Sequence, residues 1–165
     1  MRTFTGCALV VLVAALAGCG GSGKSSAADQ AAQKEVALYQ IDQIEQKWHR
    51  AASTHNVGLM MSLWAPGATF NIGTDTYTGK PQIRHFFATK NKAFRPENHW
   101  ESDTPSYKMK VTLHGDKATL YFECHYVDVT TGKLVSVVGV DHNLQKIKGT
   151  WLIVDGSGST ATLHT

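Results

Sequence analysis

Cysteine is scarce in this chain and poorly placed for cross-linking. Of the three in 165 residues, Cys7 and Cys19 fall in the N-terminal segment and only Cys124 in the body of the sequence. An intradomain disulfide is therefore excluded, and no cysteine pair is available for a structural zinc site. Cys124 sits in the run Leu120-Tyr121-Phe122-Glu123-Cys124, where a lone thiol packs as a small hydrophobe. A dominant sign of charge is lacking too: 16 Lys and Arg face 13 Asp and Glu, a formal balance of +3. That is too mild for a nucleic-acid or acidic-surface partner. The nearest approach to a basic run, Lys90, Lys92 and Arg95, reads as a solvated helix face, and no nucleic-acid partner is expected. The chain has no Gly-x-Ser-x-Gly elbow and no His-Glu-x-x-His helix. Its histidines do not recur at ligand spacing: His49 and His55 are six apart, and His85, His99, His114, His125 and His142 stand alone. Neither a metal site nor a cofactor is expected.

What is present begins with an address. Met1-Arg2 gives a basic start and Ala8 to Ala17 is an unbroken apolar run. Ten helical residues reach only about 15 Å, half of a roughly 30 Å hydrocarbon core. Residues 1–18 therefore read as a signal peptide and not as a membrane span. Leu16-Ala17-Gly18-Cys19 resembles the lipobox of bacterial lipoproteins, which implies lipidation of Cys19 and a domain held outside the cytoplasm at the cell envelope. Residues 19–30, opening on Gly20-Gly21-Ser22-Gly23-Lys24-Ser25-Ser26, have the composition of a flexible tether. The same stretch spells a phosphate-binding loop, Gly18-x-x-x-x-Gly23-Lys24-Ser25, with Asp155 as a candidate acidic partner. That rival needs a parallel sheet with crossover helices, whereas the second half of the chain reads as successive hairpins.

Residues 31–165 have room for one domain. Ile41, Ile44, Trp48 and Ala51 recur at helical spacing, and the helix is expected to end near His55. Asn56 is placed to cap a short helix with Val57, Met60, Met61 and Trp64 on one face, which Pro66-Gly67 would stop. Ala68 to Ile72 and Asp75 to Thr78 read as a strand pair around Gly73. Gly79-Lys80-Pro81 then opens a helix with Ile83, Phe86 and Phe87 on its apolar side. After Pro105 the period becomes two. Tyr107, Met109, Val111 and Leu113 alternate with polar residues, and Ala118, Leu120, Phe122, Cys124 and Tyr126 do the same. Val135 to Lys146 and Trp151 to Asp155 supply two more strands, with turns at His114-Gly115-Asp116, Thr131-Gly132 and Lys148-Gly149. Helices followed by a meander predict an α+β fold, with helices packed in a curved, mostly antiparallel sheet.

This element order, carrying Trp48, then Leu63-Trp64-Ala65-Pro66-Gly67-Ala68-Thr69-Phe70, then Tyr77-Thr78-Gly79-Lys80 before a helix, resembles the nuclear transport factor 2-like superfamily. Its SnoaL-like and ketosteroid-isomerase-like branches are the most similar, and the resemblance covers roughly residues 32 to 163. It implies a cone-shaped, cystatin-like roll with a conical pocket, a scaffold on which fold alone does not settle function. The ketosteroid-isomerase resemblance matches Asp141 to an oxyanion-hole aspartic acid. It places Trp48 where a phenol would stand, and Ile72, which cannot move a proton, where the base would be; Asp75 is three residues away.

Strand alternation alone leaves two faces open for Val135 to Lys146. One carries Val137, Gly139, Asp141 and Asn143; the other carries Val138, Val140, His142 and Leu144. The resemblance favours the first as the pocket lining, with Tyr126 from the neighbouring strand. The leading expectation is a lipid-anchored envelope protein that binds a small hydrophobic molecule, with Trp48, Tyr126, Asp141 and Asn143 as ligand contacts. A second is a cofactor-free lyase or isomerase using Asp141 with His142, Asp75 or His125 as proton-transfer partner. A third is an interaction module or homodimer with a closed cone.

Overall fold

In a computed structural model, residues 26–102 and 108–161 are described. The signal segment, Cys19, the Gly18-to-Ser25 loop and Tyr107 lie outside them. The long helix α1 runs Ala27–Ser53 and is fastened at its start by a reciprocal cap. Ser26 Oγ accepts from the Asp29 N–H, and the Asp29 carboxylate accepts from the Ser26 N–H, both at 3.1 Å. Residues 27–30, expected as the end of the tether, are therefore helical. Residues 27–36 are exposed all round, and burial begins in earnest at Ile41. The helix ends in a hydrogen-bonded reversal: His55 N–H bonds Ala52 O and Asn56 N–H bonds Ala51 O, with His55 in the left-handed region at φ 51°.

Asn56 then caps α2, Val57–Ser62, accepting the Leu59 N–H at 2.8 Å. Pro66 and Gly67 do not stop this helix. They lie inside β1, Trp64–Ile72, in the stretch where its pairing with the last strand slips between Trp64 and Thr69. A proline with no N–H is tolerated where the ladder is already interrupted. Strand β2, Asp75–Thr78, closes a hairpin on β1, and α3, Gly79–Thr89, follows with Ile83, Phe86 and Phe87 buried. A 3-10 turn at Lys92–Phe94 leads to β3, Trp100–Ser102, then β4, Met109–His114, β5, Lys117–Asp128, β6, Lys133–Ile147, and β7, Thr150–Ala161.

Among the described residues these strands make one seven-stranded sheet in the order β2-β1-β7-β6-β5-β3, with β4 also pairing with β5. All pairings are antiparallel except β1 with β7. The sheet is curved and does not close, and the helices pack within it, so the fold is the α+β cone. The inward face of β5 is Ala118, Leu120, Phe122, Cys124 and Tyr126, all buried. On β6 the inward face is Val138, Val140, His142 and Leu144, while Asp141 and Asn143 are exposed. The face favoured by the resemblance is thus the outer one.

A bulge sets what the central strand offers to the interior. Val154 on β7 is skipped by both neighbours: β6 pairs Asn143 with Asp155 and then Leu144 with Ile153, and β1 slips at the same place. The alternation changes phase there, so Trp151 and Ile153 point inward before the bulge and Gly156 and Gly158 after it. Gly156 has to be glycine, because a Cβ would fall 2.5 Å from His142 Nδ1. Among the described residues, no helix is long and apolar enough to cross a membrane.

Candidate functional site

The wide end of the cone holds a cavity of about 430 Å³, within the range of roughly 300–1,000 Å³ that small-molecule sites occupy. Its walls come from every layer: Trp48 of α1, Phe87 of α3, Phe70 of β1, Tyr126 of β5, Val140 of β6 and Gly158 of β7. Phe87 meets Trp48 edge-on at 5.6 Å between ring centroids and stacks on Phe70 at 5.7 Å. Gly158 is what leaves the space open. A Cβ there would find Phe70 and Ile72 only at 3.6 Å, ordinary contact, so a side chain at this position would fill the void instead of being refused.

Trp48 and Tyr126, both expected as ligand contacts, line this cavity. The Ser102, Tyr126 and Trp48 side chains around the Cys124 sulfur act to lower the pKa of its thiol. Burial nonetheless pushes the Cys124 thiol up to about 12 and the Tyr126 phenol well above its usual value. The thiol is therefore an inert core group. Asp141 and Asn143 do not reach the cavity. They line a shallow polar depression on the outer sheet face with Tyr121 and Asp155, where Asn143 Nδ2 donates to Asp155 Oδ2 at 3.2 Å.

His142 points inward but lies beneath the cavity, its ring 4.9 Å from that of Trp48 and 5.7 Å from those of Trp64 and Phe122. Neither ring nitrogen makes a hydrogen bond of good geometry. Burial holds its pKa down at about 3, against a weaker upward pull from the Asp141 backbone. As neighbours on one strand, Asp141 and His142 stand on opposite faces of the sheet, so they do not form the acid–base pair expected of them. The other proton-transfer partners considered are also engaged away from the cavity. His125 Nε2 lies 3.1 Å from Glu123 Oε2, in a cluster where Tyr121 donates to the same carboxylate at 2.9 Å and Lys108 pairs at 3.2 Å. His125, then Tyr121, hold Glu123 down at about 2. Asp75 accepts the Tyr77 hydroxyl at 3.0 Å.

Comparison with known proteins places this geometry. The family profile of the SnoaL-like domain matches residues 37–155. The chain belongs to the SnoaL-like domain family. Solved structures similar to this SnoaL-like protein share its fold at low identity. A cystatin-like protein of unknown function from Nostoc punctiforme is 14% identical, with a TM-score of 0.64 over 82% of this chain and 93% of that one. A nuclear transport factor 2-like protein with a cystatin-like fold from Novosphingobium aromaticivorans is 15% identical, with a TM-score of 0.66 over 82% and 90%. A nuclear transport factor 2-like superfamily protein from Salmonella enterica is 16% identical, with a TM-score of 0.64 over 80% and 96%. A search of curated proteins gave no match.

The SnoaL-like domain also contains a buried polar chain that the sequence reading passed over. Glu45 and His49 are 1% and 0% exposed on α1, with Glu45 Oε1 3.1 Å from His49 Nε2. His49 Nδ1 lies 2.5 Å from Ser102 Oγ, and the Ser102 N–H donates to Ser53 Oγ at 2.8 Å. The chain thus ties α1 to β3 through buried polar groups. A signal for it was present: Ile41, Ile44, Glu45, Trp48, His49 and Ala52 follow the full i, i+3, i+4, i+7 stripe of a buried helix.

Proposed function

We propose that this SnoaL-like protein binds a small, largely hydrophobic molecule in the cavity between Trp48, Phe87 and Tyr126, and that a lipid on Cys19 holds it at the cell envelope with the domain extracytoplasmic. The observation that carries the binding reading is an open cavity lined mainly by aromatic and aliphatic side chains, among them Trp48, Phe70, Phe86, Phe87, Trp100 and Val140. Such a wall binds by excluding water and selects by shape. Among the described lining residues there is no carboxylate and no histidine, so the Asp141-based acid–base chemistry of an isomerase has no counterpart in this lining, which supports a reading of binding. A cavity of this size equally departs from the closed cone of a pure interaction module. The lipobox-like Leu16-Ala17-Gly18-Cys19 and the glycine- and serine-rich sequence after it support the anchoring.

Gly158→Leu tests the binding reading. Leucine would occupy the void against Phe70 and Ile72 without forcing the strand. A neutral apolar fluorophore, N-phenyl-1-naphthylamine, should bind the native protein saturably at one site and lose at least about ten-fold in affinity in the variant, equivalent to about 1.4 kcal/mol. Unsaturable fluorescence in the native protein, or equal affinity in a folded Gly158→Leu, would refute it.

A further inference from the structure

The polar groups around this cavity are unevenly distributed. Its walls are mostly apolar, with Tyr126 and Ser136 the hydroxyl-bearing residues among them, and the side-chain amide of Asn91 is turned to its own backbone, its Oδ1 accepting the Ala93 N–H at 2.9 Å. The charged groups among the described lining residues are Lys90 and Lys92, at the junction of α3 with the 3-10 turn, and no acid accompanies them in the lining. The Lys92 ammonium group makes no hydrogen bond or ion pair among the described residues, its backbone carbonyl alone being engaged, by Asn98 Nδ2 and the Arg95 N–H. Lys90 Nζ donates to the Tyr77 phenol oxygen at 3.0 Å and lies 5.2 Å from the ring centroid. Asp75 is more distant, at 3.7 Å, and both members of that pair are more than half exposed. An ammonium group has three donors. The Tyr77 bond occupies one, which leaves donors for a further acceptor.

We propose that the cavity takes an anionic amphiphile, a molecule whose apolar body lies against Trp48, Phe87 and Val140 and whose carboxylate meets the ammonium groups of Lys90 and Lys92 at the rim. This rests on the ligand-binding reading above and adds the chemical class of the ligand. The division of labour follows from the two environments. Apolar burial supplies the affinity, roughly 25 cal/mol per Å² of surface removed from water. The half-exposed lysines supply orientation and discrimination of charge, an interaction that added salt weakens. A neutral molecule of the same shape gains only the first, and a cationic one meets repulsion at the mouth.

The experiment is displacement of N-phenyl-1-naphthylamine from the purified protein by decanoate, 1-decanol and decyltrimethylammonium, repeated with Lys92→Gln and with the Lys90→Gln, Lys92→Gln pair. Decanoate should displace the probe at about ten-fold lower concentration than decanol, with the cation weakest. The advantage should shrink in Lys92→Gln, nearly vanish in the double variant, and fall as salt rises, while decanol is unchanged throughout. The Lys92 ammonium group makes no hydrogen bond or ion pair among the described residues, so the single variant reads out charge even if losing the Tyr77 bond disturbs the fold of the double one. Equal displacement by decanoate and decanol, or a decanoate preference that survives both substitutions and high salt, overturns this inference and leaves the binding reading standing. Failure of the neutral probe itself to bind overturns both.

Discussion

His142 is the most exacting residue in the molecule. It stands on β6 among Trp48, Trp64 and Phe122, with both nitrogens unpartnered and Gly156 pressed against its ring. A histidine in such a place stays neutral when folded, whereas in the unfolded chain it takes up a proton near its ordinary value of about 6.5. Its folded pKa, at about 3, is depressed. The unfolded state therefore binds more protons across this window, so the contribution to stability is complete above pH 6.5 and is lost as pH falls from there towards 3. His142→Leu, which keeps the volume and removes the titration, should flatten the decline in unfolding free energy between pH 7 and pH 4 by on the order of 2–3 kcal/mol. Denaturant titrations at the two pH values measure this, and identical pH slopes in the two proteins would contradict it.

Elements show where local chemistry decides and where it yields. His55 ends α1 at φ 51°, a conformation glycine adopts without strain. His55→Gly should therefore stabilise the domain by about 0.5–1 kcal/mol, seen as a rise in Tm, since the two capping bonds are backbone groups that the substitution leaves in place. Much of the element structure was legible in the residues. The Asn56 cap, the glycine turns at Gly115, Gly132 and Gly149, and the alternation on β5 each have a local cause. The site was less legible. Alternation sorted β6 into two faces without saying which turned inward, and that choice depends on the packing of His142 against Gly156, a contact between separate strands. The phase change at Val154 was hidden for the same reason, and with it the inward glycine that leaves the cavity open. Three-residue β3 was too short to carry a period at all.

At the scale of the whole molecule, the domain is one cone and its proposed address lies at the other end of the chain. Expression of the full chain in a bacterial host should yield a species that begins at Cys19 with added diacylglycerol, and Cys19→Ala should abolish that mass. Intact mass spectrometry distinguishes this from an unprocessed chain starting at Met1, which would count against the anchor. The topology has a further consequence for how the protein comes into being. Strand β7 is last in the sequence yet lies between β1 and β6, and Trp64 finds its neighbour only in Ile153, about ninety residues later. At synthesis rates of about 5–20 residues per second, Trp64 and Phe70 wait roughly 5–20 s before the strand that completes their side of the sheet exists. Throughout that interval the growing chain displays unsheltered aromatic surface and an unpaired β-edge. This domain thus depends, more than one built from sequential neighbours, on whatever holds nascent chains apart until translation ends.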